Sequence, residues 1–128
     1  MNRFSMNGHL WRILFVDPSH PMLVDRTGTR TVGTTDPKTK CVYISNRLSG
    51  TMLERVLIHE IGHCALFSFG LYYDIHRMVH KRYWNEAEEW VCNFIADYGS
   101  LIFSIAYSFL GSKDALYFVP YEIEKMMA

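Results

Sequence analysis

The chain has 128 residues, 49% hydrophobic, 15% aromatic and 20% charged, with 13 Lys+Arg set against 13 Asp+Glu. A chain of that length buries roughly two-thirds of its unfolded surface without disulfide staples, and its apolar content and balanced charge exclude disorder as a description of the whole. The even charge also argues against a nucleic-acid partner, because phosphate binding draws on a surplus of Lys and Arg. No repeat, linker or low-complexity tract marks a boundary, so residues 1–128 are expected to form one domain. Cys41, Cys64 and Cys92 make an odd set with no paired spacing. The apolar patch behind Arg3 is interrupted by His9 and Arg12, too short for an export signal; both features point to the cytoplasm.

In chain order, the first half has the character of strand and turn. Trp11 to Val16 is a short apolar run closed by Asp17-Pro18, and Met22 to Val24 is a second candidate. A hairpin is expected from Arg30 to Thr34 and Lys40 to Ser45, turning near Asp36-Pro37-Lys38. Beyond Ser49-Gly50 the pattern becomes helical. Thr51 and Glu54 have capping-box spacing. Leu53, Val56, Leu57, Ile61, Ala65 and Leu66 recur at helical intervals, and Gly70 suits a helix end, which predicts a helix over about Met52 to Phe69.

Leu71 to Tyr83 is mixed, a loop or a short helix. The next helix is expected from Trp84 or Asn85, with Trp84, Ala87, Val91, Ile95 and Tyr98 on its apolar face and Glu89, Asn93 and Ala96 opposite. Gly99-Ser100 is a candidate kink. The fifteen residues from Tyr98 to Ser112 carry no formal charge, but a bilayer span takes about 20. That stretch therefore reads as a helix buried in the core or in a contact between copies rather than in a membrane, and Pro120 marks a last short helix. The fold class expected is α+β: a small antiparallel sheet of about three strands packed on the first long helix.

His59-Glu60-Ile61-Gly62-His63 is an H-E-x-x-H sequence inside that helix. Residues at i and i+4 lie one above the other on a helix, so both imidazoles can reach a single Zn²⁺, while the glutamate projects about 100° away, in reach of a water rather than of the metal. This is the residue pattern of metal-assisted peptide hydrolysis with Glu60 as general base. A catalytic zinc needs a third protein ligand. The candidates are Glu86, Glu88, Glu89, Asp97, His76 and His80. Glu89, 26 residues after His63, is preferred over Glu88 because it shares a helix face with Asn93, whose amide can orient a ligating histidine; Asp97 continues that row. His76 and His80 repeat the i, i+4 spacing in basic surroundings, where a solvated helix face is the plainer reading. Cys64 is expected to be a small core residue.

The segments Leu57-Ile58-His59-Glu60-Ile61-Gly62-His63 and Glu89-Trp90-Val91-Cys92-Asn93-Phe94-Ile95-Ala96, with a preceding hairpin strand, resemble the ImmA/IrrE-type metallopeptidases, a minimal branch of the gluzincins. Their second pattern is usually Glu-x-Glu-Ala-Asn-x-Phe-Ala, from which this chain departs at Val91, Cys92 and Ile95. The resemblance covers roughly residues 40 to 98. It implies His59, His63 and Glu89 as zinc ligands, Glu60 as base, Asn93 behind the ligands, and a protein substrate of the transcriptional-repressor kind cleaved in a phage or mobile-element setting. Peptidases of this general build take substrate as an added strand beside the metal helix, which puts Cys41 to Ser45 forward as the receiving strand. Tyr73, Tyr83, Tyr117 and Tyr121 are candidate oxyanion donors. The rival reading is a non-catalytic, zinc-stabilised interaction module whose contact surface is the apolar helix after Ser100.

Overall fold

The computed structural model describes residues 2–111 and 125–127. The fold class is α+β, a four-stranded mixed sheet with helices. Strands β1 (Arg3–Met6), β2 (His9–Val16), β3 (Gly33–Asp36) and β4 (Cys41–Ser45) precede helices α1 (Gly50–Ser68), α2 (Tyr72–Met78) and α3 (Trp84–Leu110), with a 3₁₀ turn at Lys81–Tyr83. The chain divides into two compact units, Met1–Asp97 and Tyr98–Ala128, where the sequence marks no boundary.

The sheet differs from the expected antiparallel three strands. Its order is β1-β2-β4-β3, and β2 pairs with β4 in parallel. The extra strand is β1, joined to β2 through Asn7-Gly8, both at positive φ (48° and 80°), which is the backbone that a two-residue hairpin turn demands and that Asn-Gly supplies at little strain. The β3–β4 hairpin forms, but β3 starts at Gly33 rather than Arg30. The residues before it are taken up in a turn in which Asp25 Oδ1 accepts from the backbone N–H of Thr27 and Thr29 (2.9 and 3.0 Å), with Val24 bridging to Arg30. Met22 to Val24 forms no strand beyond that bridge, although Leu23 is fully buried. Strand β4 lies inside the sheet and is buried at four of its five positions. It cannot receive another strand; the edge beside α1 is β3.

Helix α1 begins at Gly50, two residues ahead of expectation. Ser49 is its N-cap in extended conformation, Leu53 N–H donates to Ser49 O (3.3 Å), and no side-chain cap forms, so Thr51 lies already inside the helix and the predicted capping box does not. The C-terminus closes as Gly70 implies. With φ at +68°, its N–H reaches Phe67 O and that of Leu71 reaches Leu66 O (3.1 and 2.8 Å), a Schellman arrangement that satisfies the last carbonyls. The main core joins sheet to helix through Trp11, Val42, Ile44, Val56 and Cys64. The Trp11 indole N–H donates to Ser68 Oγ at 2.8 Å, so this buried donor is paired.

Helix α3 docks on a face rotated from the expected one. Glu88, Cys92 and Ala96 are buried, whereas Val91 and Tyr98 are exposed. The cause is the small pair at the crossing. A Cβ on Gly62 would lie 3.3 Å from Cys92 Sγ and 3.5 Å from Ile95 Cγ2, so the absence of a side chain there lets α3 settle along its 88–92–96 row. The helix continues through Gly99-Ser100 to Leu110. In the second unit Leu101, Ile102, Phe103, Ile105, Phe109 and Leu110 are exposed. No helix among the described residues is long and apolar enough to cross a membrane. The helix expected at Pro120 lies outside the described residues.

Gly33 sets the spacing between β3 and α1: a Cβ there would stand 2.7 Å from Val56 Cγ1 and 3.2 Å from Glu60 Cγ. Val56 is buried and β-branched, with little room to turn aside. Gly33→Ala is therefore expected to destabilise the fold by about 1–3 kcal/mol, measured as a lowered midpoint in guanidinium chloride unfolding.

Candidate metal centre

Helix α1 presents His59 and His63 one turn apart, their rings edge to face with centroids 4.9 Å apart. Helix α3 brings Glu89 to the same point. His59 Nε2 lies 3.1 Å from His63 Nε2 and 3.1 Å from Glu89 Oε2, and His63 Nε2 lies 3.2 Å from Glu89 Oε1. Ligand atoms about 2.0–2.1 Å from a tetrahedral centre stand about 3.3–3.4 Å from one another, so these separations are close to the edges of a coordination tetrahedron. The three residues each offer a ligand atom within 4.8 Å of the others and form a group that could hold a metal ion. Glu89 stands at the rim, its side chain 39% exposed.

Glu60 lies beside this group, buried, with Oε2 3.9 Å from His59 Nε2. Its other oxygen, Oε1, accepts from Thr35 Oγ1 at 2.8 Å, and the same hydroxyl stands 3.1 Å from the Glu60 carbonyl. Burial pushes the Glu60 carboxyl above its ordinary range, against the Thr35 bond and the two imidazoles, which lower it. The result is a carboxylate of raised proton affinity at the edge of the imidazole pair. A cleft of about 630 Å³ opens in front of these groups, walled by the Val24–Thr27 turn, by β3 and by Tyr72, His76 and Asn85.

The adjacent glutamates of α3 do different things. Successive helical residues differ by about 100°, so with Cys92 and Ala96 facing α1, Glu88 is turned inward and Glu89 to the cleft. Glu88 Oε1 lies 2.8 Å from His63 Nδ1, the nitrogen on the far side of the ring from the convergence point, and accepts from Arg26 Nη2 at 2.6 Å. The role of orienting a histidine, expected of Asn93, falls to Glu88. Asn93 Oδ1 instead accepts from Arg55 Nη2 (3.3 Å), and Asp97 takes the Arg55 Nε–H at 2.8 Å, so both side chains tie α3 to α1. Burial opposes a proton on His63, but bonds to Cys92, Glu88 and Glu89 prevail and carry its pKa up to about 12. Glu89 is held far below the usual carboxylate range, chiefly by His59 and then His63.

The remaining candidates stand elsewhere. His80 accepts from the Arg82 N–H and caps the 3₁₀ turn. His76 stacks on Trp84 with centroids 3.8 Å apart and lines the cleft. Cys64 is fully buried, its thiol pushed up to about 12 by burial and then by the Glu60 charge. Tyr73 and Tyr83 are exposed, Tyr117 and Tyr121 lie outside the described residues, and the tyrosine in the cleft is Tyr72. Burial, followed by the charge of Glu88, raises its pKa well above the ordinary phenol range, so it remains a hydrogen-bond donor. Sequence reasoning missed Arg26, Thr35 and Tyr72. Nothing local distinguishes an arginine in an Asp-Arg-Thr-Gly turn, and Thr35 acquires its role only from the register of β3.

No protein-family model matches the chain, and no curated protein matches it significantly.

Between its two carboxylate neighbours, His63 holds its proton well above the ordinary imidazole range in the ion-free site. A metal ion must displace that proton, so affinity is expected to rise about tenfold per pH unit between pH 6 and 8, with about one proton released. Titration calorimetry in buffers of different ionisation heat measures this; an affinity flat with pH would contradict it.

Proposed function

We propose that the protein is a zinc-dependent endopeptidase of the ImmA/IrrE kind, in which His59, His63 and Glu89 hold the metal and Glu60 is the general base. The observation that carries the reading is the convergence of both imidazole Nε2 atoms and both Glu89 oxygens at separations of 3.1 and 3.2 Å. The donor set, two histidines and one carboxylate, is that of zinc peptidases. A divalent ion in this position supplies Lewis acidity, polarising the scissile carbonyl and lowering the pKa of a water to about 7.

The protein's own residues do the rest. Glu60, its carboxylate raised in proton affinity and fixed by Thr35, takes a proton from the attacking water and returns it to the leaving amine. Strand β3 is paired only with β4 and borders the cleft, so it is the edge on which an extended substrate adds as a further strand. Tyr72, a protonated donor in the cleft wall, is the candidate for stabilising the oxyanion. Among the described residues the group offers three candidate ligands, which supports a site that keeps a position open for substrate. The repressor-type substrate follows from the family resemblance alone.

Glu60→Gln is expected to keep one equivalent of zinc while its peptidase rate falls by about 10²–10⁴, and His63→Ala to lose the metal. Metal content after dialysis and cleavage of a fluorogenic peptide library measure the two effects separately. Full activity in the Glu60→Gln protein would remove the mechanism.

A further inference from the structure

The two metal-facing histidines are not supported alike. His63 Nδ1 meets Glu88 Oε1 at 2.8 Å, whereas His59 Nδ1 is buried without a hydrogen-bond partner among the described residues. Of the pair, then, His63 is the ring whose far nitrogen is fixed by a side chain. That side chain is itself gripped. Arg26 Nη2 donates to the same oxygen, Glu88 Oε1, at 2.6 Å.

Arg26 comes from the other side of the cleft. It sits in the turn closed by the Asp25 N–H to Thr29 O bond (2.9 Å) and the Gly28 N–H to Asp25 O bond (3.0 Å), with Asp25 Oδ1 holding Thr27 and Thr29. The cross-bonded loop fixes the backbone at Arg26, whose side chain is 55% exposed and is held by Glu88. The Glu88 side chain is 8% exposed, and a carboxylate at that depth needs a partner charge to stay ionised and in place.

We propose that Arg26 and Glu88 form a positioning relay that locks His63 in the Nδ1–H tautomer with Nε2 aimed at the metal, so that the cleft-wall turn sets the metal affinity of the site. This rests on the metal reading given above. Neither residue touches the ion; Glu88 acts through His63 and Arg26 acts through Glu88. The order of action makes the prediction specific. Arg26 repels a cation directly, so if it worked by charge alone its removal would tighten binding. If it works by holding Glu88, removal loosens binding, and only while Glu88 is present.

The test is a double-mutant cycle on the full chain, reading the Zn²⁺ dissociation constant by chelator competition and the visible spectrum of the Co²⁺-loaded protein. Glu88→Ala is expected to weaken Zn²⁺ by about 10–100-fold and Arg26→Ala by about tenfold. Arg26→Ala added to Glu88→Ala should weaken binding no further, and Arg26→Lys should recover part of the loss. Glu88→Gln, which keeps an amide oxygen for the His63 N–H, should fall between wild type and Glu88→Ala and retain the wild-type Co²⁺ band shape, which separates misorientation from misfolding. Equal effects of Arg26→Ala in both backgrounds, or Zn²⁺ binding untouched by Glu88→Ala, would overturn the relay while leaving the metal site standing. Absence of Zn²⁺ and Co²⁺ binding by the wild type would overturn the metal reading and the relay with it.

Discussion

Two imidazole nitrogens and a carboxylate, all within 3.2 Å of one another, cannot all keep lone pairs facing each other without a proton or a cation between them. A proton shared with His63 answers that demand in one way and a divalent ion in another. The surrounding structure serves to maintain the convergence. Helix α1 contributes the spacing of the two rings, Gly62 and Cys92 allow α3 to come close enough for Glu89 to arrive, and the Trp11–Ser68 bond and the apolar core beneath fasten α1 to the sheet.

The rotation of α3 has a chemical result. Had it docked on its Val91 face, Glu89 would have pointed about 160° away from α1, out of reach of the two imidazoles. With the 88–92–96 row inward, neighbouring glutamates separate into a buried acceptor for the far side of an imidazole and a rim ligand on the near side. Strand β3 is likewise used twice. It borders the cleft as an edge, and its Gly33 and Thr35 fix how closely Glu60 approaches and which of its oxygens is held. Residues from α1, α3, the edge strand and the Asp25–Thr29 turn thus meet at one place, which is the arrangement by which a small fold builds a rigid polar site.

Much of this was open to sequence reasoning because it depends on residues close together in the chain. Helical periodicity located α1 to within two residues at its start, Gly70 marked its end, and the H-E-x-x-H spacing guarantees two rings on one face wherever the helix goes. The Asn7-Gly8 pair is a two-residue turn signal that the sequence reading passed over, and with it strand β1. The parallel pairing of β2 with β4 was not legible, since hydrophobic runs carry no information about which neighbour a strand takes or in which direction.

What the sequence by itself determined was the pair of imidazoles, the glutamate between them and the presence of acidic candidates on a second helix, because short-range spacing on a helix is a geometric certainty once the helix forms. Only the tertiary structure decided which glutamate joins the two imidazoles and which stands behind His63, that Asn93 braces Arg55 instead, that β3 and not β4 is the edge, and that Arg26 lies beside the site. Each of those depends on the phase at which α3 packs, the order of strands in the sheet or the path of a surface turn. Such features are fixed by packing between segments far apart in the chain, and local pattern does not record them.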